Sequence, residues 1–364
     1  MPGFGKVLKR TFLSFGVVGA IALTAPNRAI SQNQPRQTSS APIILTQATV
    51  AESTVQAVAS VGMTVSDMES ILEFYTEVLP FRKISDVEVW GSEYEQLQGI
   101  FGVRMRVVQL QLGDEVIELT DYLTPEGRPI PADSRSNDHW FQHIAIVVSD
   151  MDEAYQHLRQ HNIQHVSTAP QQLPDYIPAA AGIEAFYFRD PEGHNLEIIY
   201  YPEGKGDPRW QESSNELFLG IDHTAIAISN TSASLAFYRD LLGLTVAGES
   251  ENYGMEQAHL NQVFGAHLQI TGLRAPLGMG VEFLEYLTPS DGRSLPNDAQ
   301  ANDLIGWQTT LVVEDVDATA QRVRSGGYDF VSSGVIRLPD DQLGFREGFL
   351  VRDPDGHLIR IVEQ

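Results

Sequence analysis

The chain has no cysteine among its 364 residues. Disulfides, thiolate nucleophiles, cysteine-ligated zinc sites and iron–sulfur clusters are therefore excluded, and any metal must be held by His, Asp and Glu. Basic residues are also scarce, because 24 Lys and Arg stand against 48 Asp and Glu and leave a formal net charge of −24. A surface this acidic repels nucleic-acid backbones and anionic lipids, so we expect neither as a partner. The sequence also lacks glycine-rich phosphate loops and Ser-His-Asp arrangements.

Long hydrophobic runs are few. The apolar run at residues 12–25 follows three basic residues and is too short for a transmembrane helix. This order is typical of a secretory signal peptide, which we place at residues 1–31, with the small residues Ala29 and Ser31 before the cleavage site. A retained N-terminal anchor is the alternative. We therefore expect an exported protein, periplasmic or secreted, in which a polar linker at 32–54 precedes the folded part.

The rest of the sequence consists of two similar halves. The segment ELTDYLTP at Glu118–Pro125 matches EFLEYLTP at Glu282–Pro289, and each is followed by a Gly-Arg pair and an Asn-Asp pair. The segment RDPEGH at Arg189–His194 matches RDPDGH at Arg352–His357 with nearly the same offset, 163 to 165 residues. A constant offset between ordered matches indicates a tandem duplication.

The duplication predicts two domains, at residues 55–203 and 217–364, joined by a linker at 204–216. Each half contains two strand-like segments that end in a helix-capping Ser, Asp or Asn, and an amphipathic helical pattern follows each. These segments are Met63–Asp67, Ile146–Asp150, Ala227–Asn230 and Leu311–Asp315. Strand candidates after the helices include Arg104–Leu112, Glu115–Leu123, Ala185–Phe188 and Asn195–Tyr200. The predicted fold is α+β, with four β-α-β-β-β modules of about 80 residues each.

This arrangement resembles the vicinal oxygen chelate superfamily, which includes glyoxalase I, extradiol dioxygenases and bleomycin-resistance proteins. The resemblance covers residues 55–364 and depends on the Asp-Pro-x-Gly-His turns, the Glu-containing strands and the strand-to-helix segments. It implies two glyoxalase-like domains, in which paired modules form a curved sheet around a metal. The ligands in such proteins come from the first and last strands of the modules.

The resemblance assigns two ligand positions to each module. The first-strand positions are Ser60, His143, His223 and Gln308, and the last-strand positions are Glu118, Glu197, Glu282 and Arg360. Period-2 alternation places Ala145 on the face of His143, and Ala225 and Ala227 on the face of His223, which leaves room for a metal and a substrate.

The pairing of the modules decides which ligands meet. If the second and third modules pair across the halves, His143, Glu197, His223 and Glu282 form a complete set, and we prefer this pairing. Glu118 and Arg360 would then form a salt bridge in a second, inactive site. The alternative pairing within each half combines Ser60, Glu118, His143 and Glu197, and it places Arg360 in the other site.

A site of two His and two Glu suits one divalent ion, and the sequence does not choose among Ni, Zn, Co, Fe and Mn. The resemblance implies that the ion binds two adjacent oxygens of a small substrate and stabilises an enediolate. It also makes Glu197 the catalytic base and Glu282 the steadier ligand. We therefore predict a metal-dependent glyoxalase-type isomerase or lyase. Ala227 and His139 stand where glutathione-binding members carry arginines, which argues against a glutathione adduct.

Two other functions stay open. One is an extradiol-type dioxygenase acting on a catechol, and the other is a non-catalytic small-molecule-binding protein of the resistance type. Loops at 88–102 and 252–275 are expected to form the pocket walls, and Arg104, Arg106 or Arg274 are candidates for binding an anion. Because the duplication supplies both halves of a paired site, we expect a monomer with an internal pseudo-dimer.

Overall fold

The computed structural model describes residues 55–364, so the expected signal peptide at 1–31 and the linker at 32–54 lie outside the described residues. The described residues form four modules, each with a strand, a helix and further strands, as the sequence predicts. No helix among them is both long enough and apolar enough to cross a membrane.

The first two modules make up the first half of the duplication. The first contains β1 (Val55–Val65), α1 (Met68–Glu73), β2 (Arg82–Trp90), α2 (Ser92–Gln98), β3 (Arg104–Leu112) and β4 (Glu115–Thr124). The second contains β5 (Gln142–Val148), α3 (Met151–Gln160), β6 (Gln164–His165), β7 (Gln171–Gln172), β8 (Glu184–Arg189) and β9 (Asn195–Tyr200).

The third and fourth modules make up the second half. The third contains β10 (Phe218–Ile228), α4 (Thr231–Leu235), β11 (Thr245–Tyr253), α5 (Met255–Asn261), β12 (His267–Arg274), β13 (Leu277–Gly278) and β14 (Gly280–Thr288). The fourth contains β15 (Trp307–Val313), α6 (Val316–Ser325), β16 (Ile336–Arg337), β17 (Glu347–Arg352) and β18 (Leu358–Glu363). A short 3₁₀ helix, Pro208–Gln211, connects the two halves.

The first helix of each module begins at the capping residue that the sequence predicts. Each cap side chain accepts a hydrogen bond from the backbone N–H three residues later, which satisfies one of the free donors of the first turn. The four caps are Asp67, Asp150, Asn230 and Asp315.

The modules pair across the halves. β1 of the first module lies antiparallel to β15 of the fourth, and β5 of the second lies antiparallel to β10 of the third. Among the described residues this gives two nine-stranded sheets. We call them the outer-module sheet (first and fourth modules, with the two-residue strand β13 of the third module beside β1) and the inner-module sheet (second and third modules). The crossed pairing preferred from the sequence is therefore confirmed, and pairing within each half is wrong.

The Gly-Arg and Asn-Asp pairs of the repeat join the two halves reciprocally. Arg128 donates hydrogen bonds to the buried carboxylate of Asp303, and Arg293 donates to the buried carboxylate of Asp138. Glycine precedes each arginine because a Cβ on Gly127 would lie 1.7 Å from the carbonyl oxygen of Asn302. The conserved spacing of these pairs in the repeat thus reflects two symmetric contacts between the halves.

Both expected loops contain regular structure. Residues 88–102 include the end of β2 and helix α2, and residues 252–275 include the end of β11, helix α5 and strand β12. Gly91 and Gly254 precede the two helices with φ values of 122° and 101°, a conformation that favours glycine. Seven-residue helices carry too few apolar positions for a clear helical period. The sequence pattern therefore predicts loops in these two segments and not the helices that the structure has.

Candidate metal centre

The strand register of the inner-module sheet places four predicted ligands on one face. In the parallel and antiparallel ladders, Glu197 is paired with Ala145, and Ala145 with His223. In the adjacent row, His143 is paired with Ala225, and Ala225 with Glu282. Paired residues in neighbouring strands point to the same side of a sheet, so two His and two Glu converge over a floor of alanines.

Three of these side chains form a compact buried group. Glu197 Oε2 lies 3.0 Å from His143 Nε2 and 3.8 Å from His223 Nε2. One ligand atom from each of the three residues lies within 4.8 Å of the others. All three side chains are buried, so the group could surround a small cation.

Glu282 lies at the edge of this group. Its Oε1 is 3.6 Å from His223 Nε2, and its side chain keeps 26% of its surface exposed. The side chain also lines the adjacent cavity. The structure thus brings the four predicted residues together, with three in the compact group and Glu282 bordering it on the open side.

The imidazole nitrogens of this group have the environment that metal ligands need. Among the described residues, His143 Nδ1, His143 Nε2 and His223 Nε2 are buried and make no hydrogen bond. The close contact of His143 Nε2 with Glu197 does not have hydrogen-bond geometry. Buried polar atoms without a partner cost free energy, and a cation shared by the nitrogens and the carboxylate would remove that cost. The residues therefore fit a divalent ion.

Asp222 orients His223 from behind, a role that the sequence analysis missed. Its Oδ2 accepts a hydrogen bond from His223 Nδ1 at 2.9 Å, which leaves Nε2 directed at the group. Arg274 donates to both carboxylate oxygens, at 2.9 and 2.8 Å, and Trp210 Nε1 donates to Oδ1 at 2.8 Å. Such carboxylates fix the tautomer and the ring orientation of metal-binding histidines.

A β-bulge explains how Asp222 comes to lie beside His223. Neighbouring residues of a regular strand point to opposite faces, but the register with β5 shifts between Ile221 and His223. The same shift occurs between Val58 and Ser60 in the outer-module sheet, where no acid follows the bulge. The Asp-His dipeptide is the one sequence signal that could have identified this pair, and it is visible only with knowledge of the bulge.

The charges around the group shift its pKa values in opposite directions. Burial disfavours the charged form of His223, but Glu282, Asp222 and Glu197 outweigh burial and raise its pKa to about 9. Burial also raises the pKa of Glu282, with a further contribution from Glu197. The pKa of Asp222 is lowered although burial opposes this, because His223, Arg274 and Trp210 donate to it.

A cavity of about 480 Å³ opens next to the group, and His223, Glu197 and Glu282 form part of its wall. Part of the wall comes from residues 206 and 207, inside the segment expected to be a plain linker. Gly206 has a φ of 69° and lies against the ring of Tyr201, where a Cβ would be 2.6 Å from the ring. The connection between the halves therefore helps to build the site.

The outer-module sheet has the salt bridge expected for crossed pairing. Arg360 Nη1 donates a hydrogen bond to Glu118 Oε1 at 2.8 Å, and both side chains are buried. Gln308, at the position of His143, donates to Gln98 at 3.0 Å. Ser60, at the position of His223, is buried and brings no imidazole. A permanent guanidinium in the centre of this group opposes cation binding.

The histidines of the two repeated turns have structural hydrogen bonds. His194 Nδ1 lies 2.8 Å from Asp190 Oδ2 and its Nε2 lies 2.9 Å from the Thr64 carbonyl oxygen. His357 Nδ1 lies 3.0 Å from Asp353 Oδ2. The turn histidines therefore anchor the last strands of their modules.

The three candidate anion-binding arginines are paired with acidic side chains of the protein. Arg104 is paired with Glu88, and Arg106 with Asp86. Arg274 is paired with Asp222, as described above. The expectation that one of them binds a substrate anion is therefore not supported.

Comparison with known proteins agrees with this architecture. The family model of the Glyoxalase/Bleomycin resistance protein/Dioxygenase superfamily matches residues 57–198 and again residues 220–361. A 2-epi-5-epi-valiolone epimerase from Actinomyces sp. is 32% identical over 155 residues, which span 41% of this chain and 81% of that protein.

Two solved structures share the fold over most of the chain. Glyoxalase I from Zea mays has a TM-score of 0.56 and 15% identity, covering 84% of this chain and 92% of that one. A putative dioxygenase from Bacillus subtilis has a TM-score of 0.55 and 14% identity, covering 86% of each chain. At these identities the likeness shows the fold alone.

Proposed function

The chain belongs to the glyoxalase/bleomycin resistance protein/dioxygenase superfamily, and on this premise we propose that it is a metal-dependent isomerase or lyase with a single site. The site lies in the inner-module sheet and takes a small substrate through two adjacent oxygens. The observation that carries the proposal is the buried His143–Glu197–His223 group, whose imidazole nitrogens have no hydrogen-bond partner in the described structure.

Each residue of the site has a separate role in this proposal. His143, Glu197 and His223 would hold the ion, Glu282 would complete the set from the cavity side, and Asp222 holds the His223 ring in place. A bound divalent ion would act as a Lewis acid on the substrate oxygens.

Glu197 is the proposed base, which removes the proton next to the substrate carbonyl and returns it. It lines the cavity, so its carboxylate has access to a substrate bound there. Glu282 lines the same cavity, and an exchange of the two roles is the direct competitor of this assignment.

The epimerase relative supports isomerase-type chemistry, because an epimerase is itself an isomerase. A catechol dioxygenase would use two His and one carboxylate, and the compact group alone has that composition. We place it second because Glu282 adds a further carboxylate beside the group. We further propose that the protein is exported and acts as a monomer, as expected from its N-terminal sequence and its duplication.

Metal analysis of the purified protein tests the proposal. We expect about one divalent ion per chain by mass spectrometry, lost in His223→Ala and retained in Ser60→Ala, the matched change in the outer-module sheet. A protein that takes up no ion even after reloading would contradict the proposal and favour a non-catalytic binding protein.

Base identity is tested by solvent deuterium exchange into accepted 2-hydroxyketone or 2-oxoaldehyde substrates. Glu197→Gln should abolish exchange in protein reloaded to the same metal content as the wild type, so that loss of the base is separated from loss of the ion. Loss of exchange in Glu282→Gln alone would instead assign the base to Glu282. Oxygen uptake with catechol by the iron-loaded protein would replace the isomerase proposal by the dioxygenase.

A further inference from the structure

The cavity beside the proposed metal group is strongly acidic. Five carboxylates line it, from Glu197, Asp207, Asp222, Glu249 and Glu282, whereas Arg274 is the one Lys or Arg among the lining residues. A divalent ion in the group would offset two of the four remaining negative charges. The cavity therefore stays negative with the metal bound.

The basic side chains near the cavity are already engaged. Arg274 donates to both oxygens of Asp222 and to its backbone carbonyl. Lys205, next to the lining residue Gly206, donates to the carbonyl oxygens of Pro178 and Ala179. No Lys or Arg among the described lining residues is free to pair with a phosphate or a carboxylate of a ligand, and the His223 ring already faces the carboxylates of Glu197 and Glu282. An anionic group away from the ion would thus lose its hydration without gaining a counter-charge from a side chain.

Two buried side-chain amides give the cavity polar groups that carry no charge. Asn252 and Gln257 line the cavity, are only 4% and 2% exposed, and each has a side-chain carbonyl oxygen without a hydrogen-bond partner in the described structure. Gln257 is held by a hydrogen bond from its Nε2 to Asn261, which in turn donates to Tyr286. A ligand hydroxyl can donate a hydrogen bond to the carbonyl oxygen of such an amide or accept one from its NH₂ group.

The internal duplication shows that a module of this fold does not require amides at these two positions. At the offset of the repeat, the first module has Val89 and Tyr94 in place of Asn252 and Gln257, and both are buried core residues. Buried amides with unsatisfied oxygens cost stability. Asn252 and Gln257 line the cavity, where a ligand can offset this cost, whereas the other described amide oxygens without a partner, on Asn137, Asn302 and Gln308, do not line it.

From these observations we infer that the substrate is an uncharged compound with several hydroxyl groups, and that the cavity discriminates against phosphate esters and other anions. The inference rests on the proposed function, since it names the substrate class of the same site. It adds Asn252 and Gln257 as residues that determine specificity.

Binding of a matched pair of sugars tests the substrate class. The open-chain forms of D-xylulose and D-xylulose 5-phosphate have the same adjacent ketone and hydroxyl oxygens and differ in the phosphate. Because only the free sugar closes to a furanose, the affinities are compared per open-chain form. Their affinities are measured by calorimetry and ligand-detected NMR on the full chain, zinc-loaded and metal-free. We expect xylulose to bind at least about tenfold more tightly in both forms. Equal or tighter binding of the phosphate ester, or no binding of either sugar, would overturn the inference. Metal uptake is measured separately, so failure of the proposed function is recognised independently.

Two variants test the residues. Asn252→Val should weaken xylulose binding about fivefold or more and leave metal content and thermal stability unchanged or improved, because the Asn252 carbonyl has no partner to lose. A loss of stability with unchanged affinity would assign Asn252 a structural role and contradict the inference.

Glu249→Lys should reduce the discrimination against the phosphate ester about threefold or more. Its control is Glu77→Lys, which changes the net charge equally at an exposed position outside the cavity. An equal effect of both variants would attribute the discrimination to the net charge of the whole protein and overturn the role of the cavity.

Discussion

Arg360 and Glu118 form a buried ion pair, with Arg360 Nη1 2.8 Å from Glu118 Oε1, at the place in the outer-module sheet where the inner-module sheet has its metal group. Arg360 Nε also donates to Thr310 at 3.0 Å. Removing one partner of such a pair leaves an uncompensated buried charge, so Arg360→Met should lower the free energy of unfolding by about 3–5 kcal/mol. The double variant Glu118→Leu/Arg360→Met should recover most of this loss in chemical denaturation. If the double variant is as unstable as the single one, the loss comes from the altered packing of the side chains and not from the unpaired charge.

Asp222 provides the next prediction, since it fixes the ring of His223. Asp222→Asn should lower the affinity for the divalent ion about 10–100-fold, because the amide NH₂ competes for the hydrogen bond that sets the tautomer. Competition with a chromogenic chelator measures this affinity. Trp210→Phe removes one donor to the same carboxylate and should cost less than Asp222→Asn. Equal losses in the two variants would argue that Asp222 acts by packing.

Strand and cap patterns in the sequence encode part of the fold and of the candidate site. The caps at Asp67 and Asp315 and the shared face of His143 and Glu197 depend on short-range rules, and the structure has them as predicted. The crossed pairing could be inferred because pairing within each half would put the cationic Arg360 into the same site as His223 and Glu282. Crossed pairing instead places Arg360 beside Glu118 and leaves a complete set of ligands in the other sheet.

The missed features depend on long-range contacts. Asp222 reaches His223 through a bulge that breaks the two-residue period, and Arg274 approaches from another strand. No local pattern in the sequence encodes either contact. The bulge also recurs in the outer-module sheet without an acid, so the backbone alone does not identify the site.

The raised pKa of His223 predicts a specific pH dependence. Its pKa is about 9 in the metal-free protein against an ordinary value of 6.5. The folded state therefore binds this proton more tightly than the unfolded state. The resulting stabilisation is complete below pH 6.5 and is lost as the pH rises to about 9.

The free energy of unfolding of the metal-free protein should therefore fall across that range, and it should fall less in His223→Gln. His194 and His357 also have raised pKa values, with burial opposed by Asp190 and Asp353, and they contribute with the same sign. The difference between the pH profiles of the wild type and His223→Gln gives the contribution of His223 alone. Metal affinity should rise with pH over the same window, because the ion must displace the proton. Identical pH profiles of the two proteins would contradict the assignment.

The crossed architecture predicts that neither half suffices alone. The central strand pairs of both sheets, β1 with β15 and β5 with β10, join residues from different halves. Residues 55–203 and 204–364, produced separately, should therefore be unfolded or self-associated, and on mixing they should form a one-to-one complex. The complex should take up the ion, because the compact group draws His143 and Glu197 from one half and His223 from the other. Size-exclusion chromatography with metal analysis checks both points, with His223→Ala in the second half as the control for metal uptake. A stable monomeric half that binds the ion by itself would contradict the crossed site.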